Sequence, residues 1–423
     1  MKQVSFLFFL LIIIGLNGNA QNNIAPGADR MDIYLPLLKG KSVAVFANQT
    51  SMVKKSHLVD TLIKRGVKIV KIFAPEHGFR GTADAGEHID NTVDKKTGIK
   101  VISLYGDHKK PTEKDLKNVD VMLFDIQDVG IRFYTFISSL EYYIAAAVEN
   151  GKELVILDRP NPNGFYVDGP VLDKKFKSFV GMQPVPIVYG MTIGEYAYML
   201  VAENWVENCK YDFQKIDVDG KRKYTVYMDN EIDTNSAAPK GLNMQIITCK
   251  NYTHQSLYTL PANPSPNLKE MQSIYAYPST CFFEGTVMSE GRGTDKPFLI
   301  FGHPTLPKTL YSFTPKPNAG AKSSKCFNEV CYGWNISGTN EEVLKTLNKK
   351  IQLKYVLDAY KLFPGKDSFF LKNNFFNKLA GNDSLMKQIK AGKSEWAIRA
   401  TWQPALLKFK KIRKKYLLYK DFE

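Results

Sequence analysis

The residues best suited to chemistry lie directly after short apolar stretches of the chain. Glu76 and His77 follow a stretch that ends at Phe73, and the glycines after them let the backbone approach a ligand closely. A carboxylate in such a place acts as a general acid when burial raises its pKa. We therefore predict that Glu76 and His77 are catalytic. The alternative is a loop carboxylate that only pairs with Arg80.

A second group of acids follows another apolar stretch. Asp125 and Asp128 are separated by two residues, and Arg132 and Tyr134 come soon after them. Paired carboxylates at the end of a strand divide acid and base roles or hold a metal ion. Aspartates in this place equally stabilise the N-terminus of a following helix. We predict Asp125 and Asp128 as catalytic and leave the capping role open.

A third group lies far away in the chain, in a glycine-rich stretch at 277–295. It contains Glu284, Glu290 and Arg292. Acidic and guanidinium groups suit the recognition of sugar hydroxyls and carboxylates. We predict Glu290 as catalytic and Glu284 and Arg292 as substrate-binding, with a solvated loop as the alternative.

The elements that must position these residues are buried strands. Apolar runs that alternate with helical patterns occur at 43–47, 67–73, 101–104, 119–124 and 154–157. Such runs indicate a parallel sheet, and ligands bind outside the carboxyl ends of its strands. We predict an α/β fold with a Rossmann-like parallel-sheet domain at 26–200 and a mixed α/β domain at 205–423. The active-site cleft lies between the two domains.

Several kinds of site lack their sequence signatures. No G-x-G-x-x-G motif follows the first predicted strand, so a nicotinamide cofactor is not supported. The chain has neither an H-E-x-x-H motif nor a G-x-S-x-G elbow. We predict no cofactor and no metal ion. A metal-dependent hydrolase that uses Asp125, Asp128 and the histidines remains an alternative.

The N-terminus and the charge indicate an exported protein. Lys2, an apolar run at 6–16 and Ala20 before Gln21 are typical of a signal peptide, so we predict removal of residues 1–20 and location in the periplasm or at the cell surface. No second long apolar run follows, so we expect no transmembrane span after removal. The net charge of +15 suits an anionic envelope polymer, whereas nucleic-acid binding lacks a motif.

Two features of the second half concern packing. Trp402, Leu406 and Phe409 recur at helical spacing, which predicts a helix with its lysines on the outer face. The five cysteines, at 209, 249, 281, 326 and 331, have no metal-ligand spacing. Outside the cytoplasm a disulfide is permitted, and Cys326 and Cys331 are the closest pair. Plain buried cysteines are the alternative.

Together these segments resemble the exo-β-N-acetylmuramidase family of the NamZ type. The resemblance rests on stretches at 48–51, 74–81, 125–136, 158–164, 189–197, 241–244, 263–268, 277–298 and 402–419. It implies a hydrolase that removes terminal N-acetylmuramic acid from the non-reducing end of peptidoglycan fragments. It also implies a Rossmann-like domain with the site in a cleft between domains. The family's proposed catalytic glutamate, in its P-E-H-G segment, corresponds to Glu76.

The substrate of this family carries a lactyl carboxylate, which predicts a dedicated arginine. The candidates, in order, are Arg292, Arg132 and Arg159. The other residues predicted to bind substrate are Asn48, Arg80, Tyr134, Asn243, Asn263 and Glu284. Retaining, inverting and substrate-assisted routes all remain open at this point. A periplasmic protein that binds muropeptides without turnover is the alternative from another class.

Overall fold

The computed structural model describes residues 24–76, 78–80, 91–207, 211–218, 221–228 and 241–423 of the chain. The predicted signal peptide and His77 lie outside these residues. Within the part described, no helix is both long enough and apolar enough to cross a bilayer.

The described residues alternate between strands and helices through the first 250 positions and are mainly helical at the end. The strands are β1 Ser42–Ala47, β2 Met52–Val53, β3 Ser56–His57, β4 Lys68–Ala74, β5 Thr92–Val93, β6 Lys100–Ser103, β7 Val121–Asp125, β8 Glu153–Leu157, β9 Tyr211–Val218, β10 Lys221–Met228, β11 Gly241–Ile247, β12 Ile300–His303, β13 Tyr311–Phe313 and β14 Cys331–Asn335. The α-helices are α1 Met31–Leu38, α2 Leu58–Lys64, α3 Phe136–Glu149, α4 Ile193–Ala202, α5 Met271–Thr280, α6 Asn340–Leu347, α7 Lys354–Leu362, α8 Phe375–Ala380, α9 Ser384–Lys390 and α10 Glu395–Lys414.

One large sheet forms the centre of the fold. Its described strands lie in the order β5-β6-β4-β1-β7-β8-β11-β10-β9. In that spatial order, the neighbouring strands β6, β4, β1, β7, β8 and β11 pair with one another in parallel. At the two edges, β5 pairs antiparallel with β6, and β10 pairs antiparallel with β11 and β9. The five predicted strands correspond to β1, β4, β6, β7 and β8, and the predicted α/β class is confirmed.

The sheet draws on residues from both predicted domain ranges. Its parallel strand β11 comes after residue 205 and pairs with β8. A second sheet, in the order β12-β14-β13, is antiparallel and lies in the later part of the chain. The proposed boundary at 200–205 stays a prediction.

A continuous apolar core joins the central sheet to the C-terminal helices. It includes Phe46 of β1, Tyr143 of α3, Phe282 just after α5, and Trp402 of α10, all of which are buried. Burial of this apolar surface is the main favourable contribution to folding, and it fixes the elements that surround the site. In α10, Trp402, Leu406 and Phe409 face inward, so the predicted inner face of that helix is confirmed.

Candidate active site

A cleft of about 480 Å³ opens at the carboxyl ends of β4 and β6. Glu76 and Tyr105 contribute one wall, and Tyr134 lies beside them at the start of the segment that leads into α3. Glu284 and Arg292, from the later half of the chain, line the same cleft. The fold therefore brings together residues that are more than 200 positions apart in sequence.

Glu76 follows β4 by two residues, in a turn closed by a hydrogen bond from the Gly78 amide to the Pro75 carbonyl. Gly78 has a φ of 76°, a left-handed conformation that favours glycine. The Tyr105 hydroxyl donates to Glu76 Oε1 at 3.0 Å. Burial, followed by the charge of Glu76, raises the pKa of Tyr105, so its hydroxyl keeps the proton that it donates.

A chain of charges supports the part of the cleft lined by Glu284 and Arg292. Arg292 Nη2 lies 2.6 Å from Glu284 Oε1, and Arg292 Nε lies 3.2 Å from Glu290 Oε1. Lys325 Nζ lies 2.8 Å from Glu290 Oε2. Burial opposes ionisation of Glu290, but Lys325 and Arg292 outweigh it and hold its pKa below the usual value. Glu290 is a buried anion behind the wall, whereas Glu284 lines the cleft.

The backbone around Arg292 explains why glycines surround this residue. Gly291 and Gly293 have φ values of 80° and 82°. A Cβ on Gly291 would lie 2.4 Å from the Ile300 carbonyl oxygen, and one on Gly293 would lie 2.8 Å from the Lys316 carbonyl oxygen. Only glycine fits both places, and the resulting double turn directs Arg292 toward the cleft.

Asp125 and Arg159 form a buried pair rather than part of the cleft wall. Asp125 lies at the carboxyl end of β7 and Arg159 lies just after the neighbouring strand β8, and their side-chain exposures are 0% and 1%. The guanidinium donates to both carboxylate oxygens, at 2.6 and 2.8 Å, and also to the Met52 carbonyl. The structure thus places two predicted site residues in the interior, where they hold strand ends together.

Arg132 is also buried away from the cleft. Its guanidinium donates to the carbonyls of Pro170 at 3.0 Å, Val185 at 2.6 Å and Leu379 at 2.9 Å. Burial lowers its pKa to about 9. Arg132 joins the central sheet region to α8, and of the three predicted carboxylate-binding arginines only Arg292 lines the cleft.

Asp128 is buried and does not line the cleft. Its Oδ2 accepts from the Gly130 amide at 2.6 Å and from the Tyr189 hydroxyl. Burial raises its pKa to about 6. After burial, the charges of Asp128 and Glu76 raise the pKa of Tyr134, which places Tyr134 near both carboxylates. The Tyr134 hydroxyl donates to the Pro264 carbonyl at 2.7 Å.

The remaining predicted residues do not line the cleft. Asn48 is buried and accepts from the Thr50 amide at 2.9 Å. Arg80 makes a two-pronged pair with Asp94, with contacts of 2.9 and 3.0 Å. Asn243 lies within β11, and Asn263 is exposed.

Aromatic side chains form much of the cleft surface, and of these only Tyr134 is predicted from the sequence to bind substrate. Those that line it include Phe133, Tyr134, Phe136, Phe179, Tyr277 and Phe298. Ligand sites typically combine such apolar walls with a few directed polar groups. Among the described residues, no group of three or more His, Cys, Asp and Glu side chains is arranged to hold a metal ion.

Two family models cover most of the chain. The model "Exo-beta-N-acetylmuramidase NamZ, N-terminal" matches residues 43–272, and the corresponding C-terminal model matches residues 275–419. The chain belongs to the NamZ family.

Individual relatives agree with this membership. The chain is 36% identical over 408 residues to "Peptidoglycan beta-N-acetylmuramidase NamZ" of Bacillus subtilis (strain 168), which covers 91% of this chain and 89% of the relative. The crystal structure of the DUF1343 family protein BF0379 from Bacteroides fragilis NCTC 9343 matches with 43% identity and a TM-score of 0.79, over 94% of this chain and 99% of that one. A second B. fragilis DUF1343 protein, BF0371, matches at 25% identity with a TM-score of 0.74 and the same coverage.

In this NamZ family chain, a buried histidine supports the loop that carries Glu76. The His57 ring packs edge-on against Phe79, with centroids 4.9 Å apart. Its Nε2 lies 2.8 Å from the Asn48 carbonyl oxygen, and its Nδ1 accepts from the Val59 amide at 3.3 Å. A neutral ring satisfies both contacts, whereas protonation of Nδ1 would place two donors face to face. Burial lowers the pKa of His57 to about 4.

We expect His57 to make the protein less stable in acid. The unfolded histidine binds a proton below about pH 6.5, whereas the folded one does so only near pH 4, so stability falls as pH drops through this window. The loss amounts to about 3 kcal/mol between pH 7 and pH 4. Urea unfolding at several pH values, with His57→Gln beside the wild type, measures it. The glutamine variant should lack this part of the acid loss, and parallel curves for the two proteins would contradict the assignment.

Proposed function

We propose that this chain is an exo-acting glycoside hydrolase that releases terminal β-linked N-acetylmuramic acid from the non-reducing end of peptidoglycan fragments. The observation that carries the proposal is the position of Glu76. This carboxylate lies in the cleft of a NamZ family protein and accepts a hydrogen bond from Tyr105. A carboxyl group in that place is suited to protonate the leaving oxygen of a glycosidic bond.

The cleft contains a second carboxylate. Glu284 lines the cleft and is held in place by Arg292. In a two-carboxylate mechanism Glu284 acts as base or nucleophile. In a substrate-assisted mechanism the 2-acetamido group of the sugar attacks, and Glu284 orients it. The configuration of the first sugar released, followed by NMR, separates an inverting route from the two routes that retain configuration.

Arg292 is the arginine that we propose for the lactyl carboxylate of the sugar. Its guanidinium lines the cleft and lies over the Phe298 ring at 5.2 Å. The N-terminus of α3 begins at the same cleft, with Thr135 and Phe136 in its wall. Because the N-terminus of a helix carries partial positive charge, it favours a negatively charged group nearby.

We also propose that the protein is exported and works on an anionic polymer in the envelope. The segment 340–423 contains nineteen Lys and Arg against eight Asp and Glu, so it carries eleven of the fifteen net positive charges. A basic surface of this kind attracts polymers that carry carboxylates. An intact mass for a mature chain that starts at Gln21 supports export, and retention of residues 1–20 contradicts signal removal.

Turnover of a chromogenic β-N-acetylmuramic acid glycoside tests the activity. We expect release of the chromophore in the presence of EDTA, because protonation by Glu76 needs no metal ion. The β-N-acetylglucosamine glycoside, which lacks the lactyl group, should be a poor substrate. Saturable binding without turnover would instead favour the binding protein, and activity that EDTA abolishes would favour the metal-dependent hydrolase.

A further inference from the structure

A pair of cysteines lies at the base of the loop that borders the cleft. Cys331 is the first residue of β14 and is fully buried, while Cys326 is partly exposed and packs in the same small cluster with Ile300 and Phe313. Both thiols are free in the structure, and Cys331 lies close enough to lower the pKa of the Cys326 thiol. The two side chains therefore already pack in one cluster, as a disulfide between them requires.

The loop that ends at this pair contributes directly to the cleft. It spans 314–330, between β13 and β14, and Gly320, Ala321 and Ser323 line the cleft. Next to Cys326, Lys325 Nζ pairs with Glu290 and donates to the Phe283 carbonyl at 2.6 Å. A constraint on Cys326 therefore also constrains the neighbouring Lys325, and with it the ion pairs from Lys325 to Glu290 and from Glu290 to Arg292.

The backbone at Cys326 adds a reason for a covalent constraint. Cys326 has a φ of 58°, a left-handed conformation that costs a residue with a side chain free energy unless its surroundings enforce it. The Glu329 amide donates to the Cys326 carbonyl at 3.1 Å, which closes a tight turn between the two cysteines. This turn directs both side chains into the same cluster.

We propose that Cys326 and Cys331 form a disulfide bond in the exported protein, which fixes the base of the cleft-lining loop. The oxidant is a disulfide, supplied by a thiol–disulfide oxidoreductase of the export compartment or by oxidised glutathione. The inference rests on the proposed export and is independent of the proposed hydrolysis.

The accessibility of the two thiols gives the order of the exchange. The Cys326 thiolate, the more exposed sulfur, attacks the disulfide of the oxidant and releases one thiolate from it. The Cys331 thiolate then attacks Cys326 Sγ in the mixed disulfide and releases the second. Two electrons pass to the oxidant, and the two protons lost by the cysteines end on its two thiols. The hydrogen bond from Cys331 lowers the pKa of Cys326, in agreement with Cys326 as the first nucleophile.

The test is a count of thiols and a map of their linkage in protein purified without reductant from an oxidising compartment. Alkylation after unfolding should label three of the five cysteines, and all five after reduction. Trypsin leaves both residues in one peptide, 326–345, which should be two hydrogen atoms lighter before reduction. Cleavage after Glu329 should then leave two fragments joined by the disulfide.

Two results would overturn the proposal: five labelled thiols without reduction, or a linkage that includes Cys209, Cys249 or Cys281. A thermal measurement adds an independent check. Reduction should lower the melting temperature of the wild type by about 3 °C, because the ring of six residues loses its constraint. Cys326→Ser should start at the lower value and not respond to reductant, whereas the control Cys249→Ala should respond like the wild type. An equal response in Cys326→Ser would contradict the assignment.

Discussion

Replacing Glu76 by glutamine is expected to lower kcat/KM for a disaccharide with terminal N-acetylmuramic acid by about 10²- to 10⁴-fold. Glutamine keeps the shape of the side chain and still accepts from Tyr105, but its amide is not acidic enough to protonate the leaving oxygen. The loss should be much smaller for a glycoside whose leaving group is an acidic nitrophenol, because that group departs without protonation. The ratio of the two losses identifies Glu76 as the acid.

Two matched variants separate this role from general disturbance of the site. Tyr105→Phe keeps the carboxylate and removes only its hydrogen bond, so we expect a loss of about 10-fold, the usual effect of a hydrogen bond to a charged group. Glu113→Gln changes an exposed carboxylate elsewhere and should leave kcat/KM unchanged. Equal losses on both kinds of substrate for Glu76→Gln would place Glu76 outside proton transfer.

The central sheet could be predicted from the sequence because its signal is local. Five of the described parallel strands, β1, β4, β6, β7 and β8, are apolar runs, and the polar residues after them fall at the edge where ligands bind. Glu76 was found in this way, and Tyr105, which follows β6 by two residues, carries the same signal. The sequence alone does not single out Tyr105, because tyrosines are common in protein cores, whereas a carboxylate at a buried strand end needs an explanation.

The same local signal could not separate cleft residues from buried ones. Asp125 also lies at the carboxyl end of a parallel strand, yet Arg159 covers it completely. Arg159 is held over Asp125 by a third hydrogen bond, from its guanidinium to the Met52 carbonyl, so its position depends on the segment that contains Met52. Which strand ends stay open is decided by contacts between distant segments, and a single sequence gives no pattern for those.

The two acids of the second half, Glu284 and Glu290, also could not be told apart as cleft-lining or buried from the sequence. Glu284 and Glu290 are six residues apart, and the prediction gave the catalytic role to Glu290. The double turn at Gly291 and Gly293 directs Arg292 between them, and Lys325 arrives from a loop 35 residues later to cover Glu290. The glycines were visible in the sequence, but the approach of Lys325 was not.

The second large effect is expected from Arg159→Met, which should destabilise the protein by about 3 to 5 kcal/mol. The substitution leaves the Asp125 carboxylate buried without a counter-ion, and an uncompensated buried charge carries a cost of that size. Asp125→Asn in the same chain removes the charge and should recover a large part of the loss. Urea unfolding gives the free energies, and residual kcat/KM of the folded fraction should stay near that of the wild type.

A comparison pair at the amino ends of strands in the same sheet tests whether burial, rather than pairing, makes the difference. Lys41 and Glu153 lie at the amino ends of β1 and β8, with a contact of 2.5 Å and side-chain exposures of 35% and 37%. Lys41→Met should change stability by less than about 1 kcal/mol, because water already screens this pair. If Arg159→Met instead kept full stability and raised KM, Arg159 would bind substrate as the sequence predicted. The buried, two-pronged geometry argues for the structural result, since a guanidinium that is 1% exposed has no surface to offer a sugar.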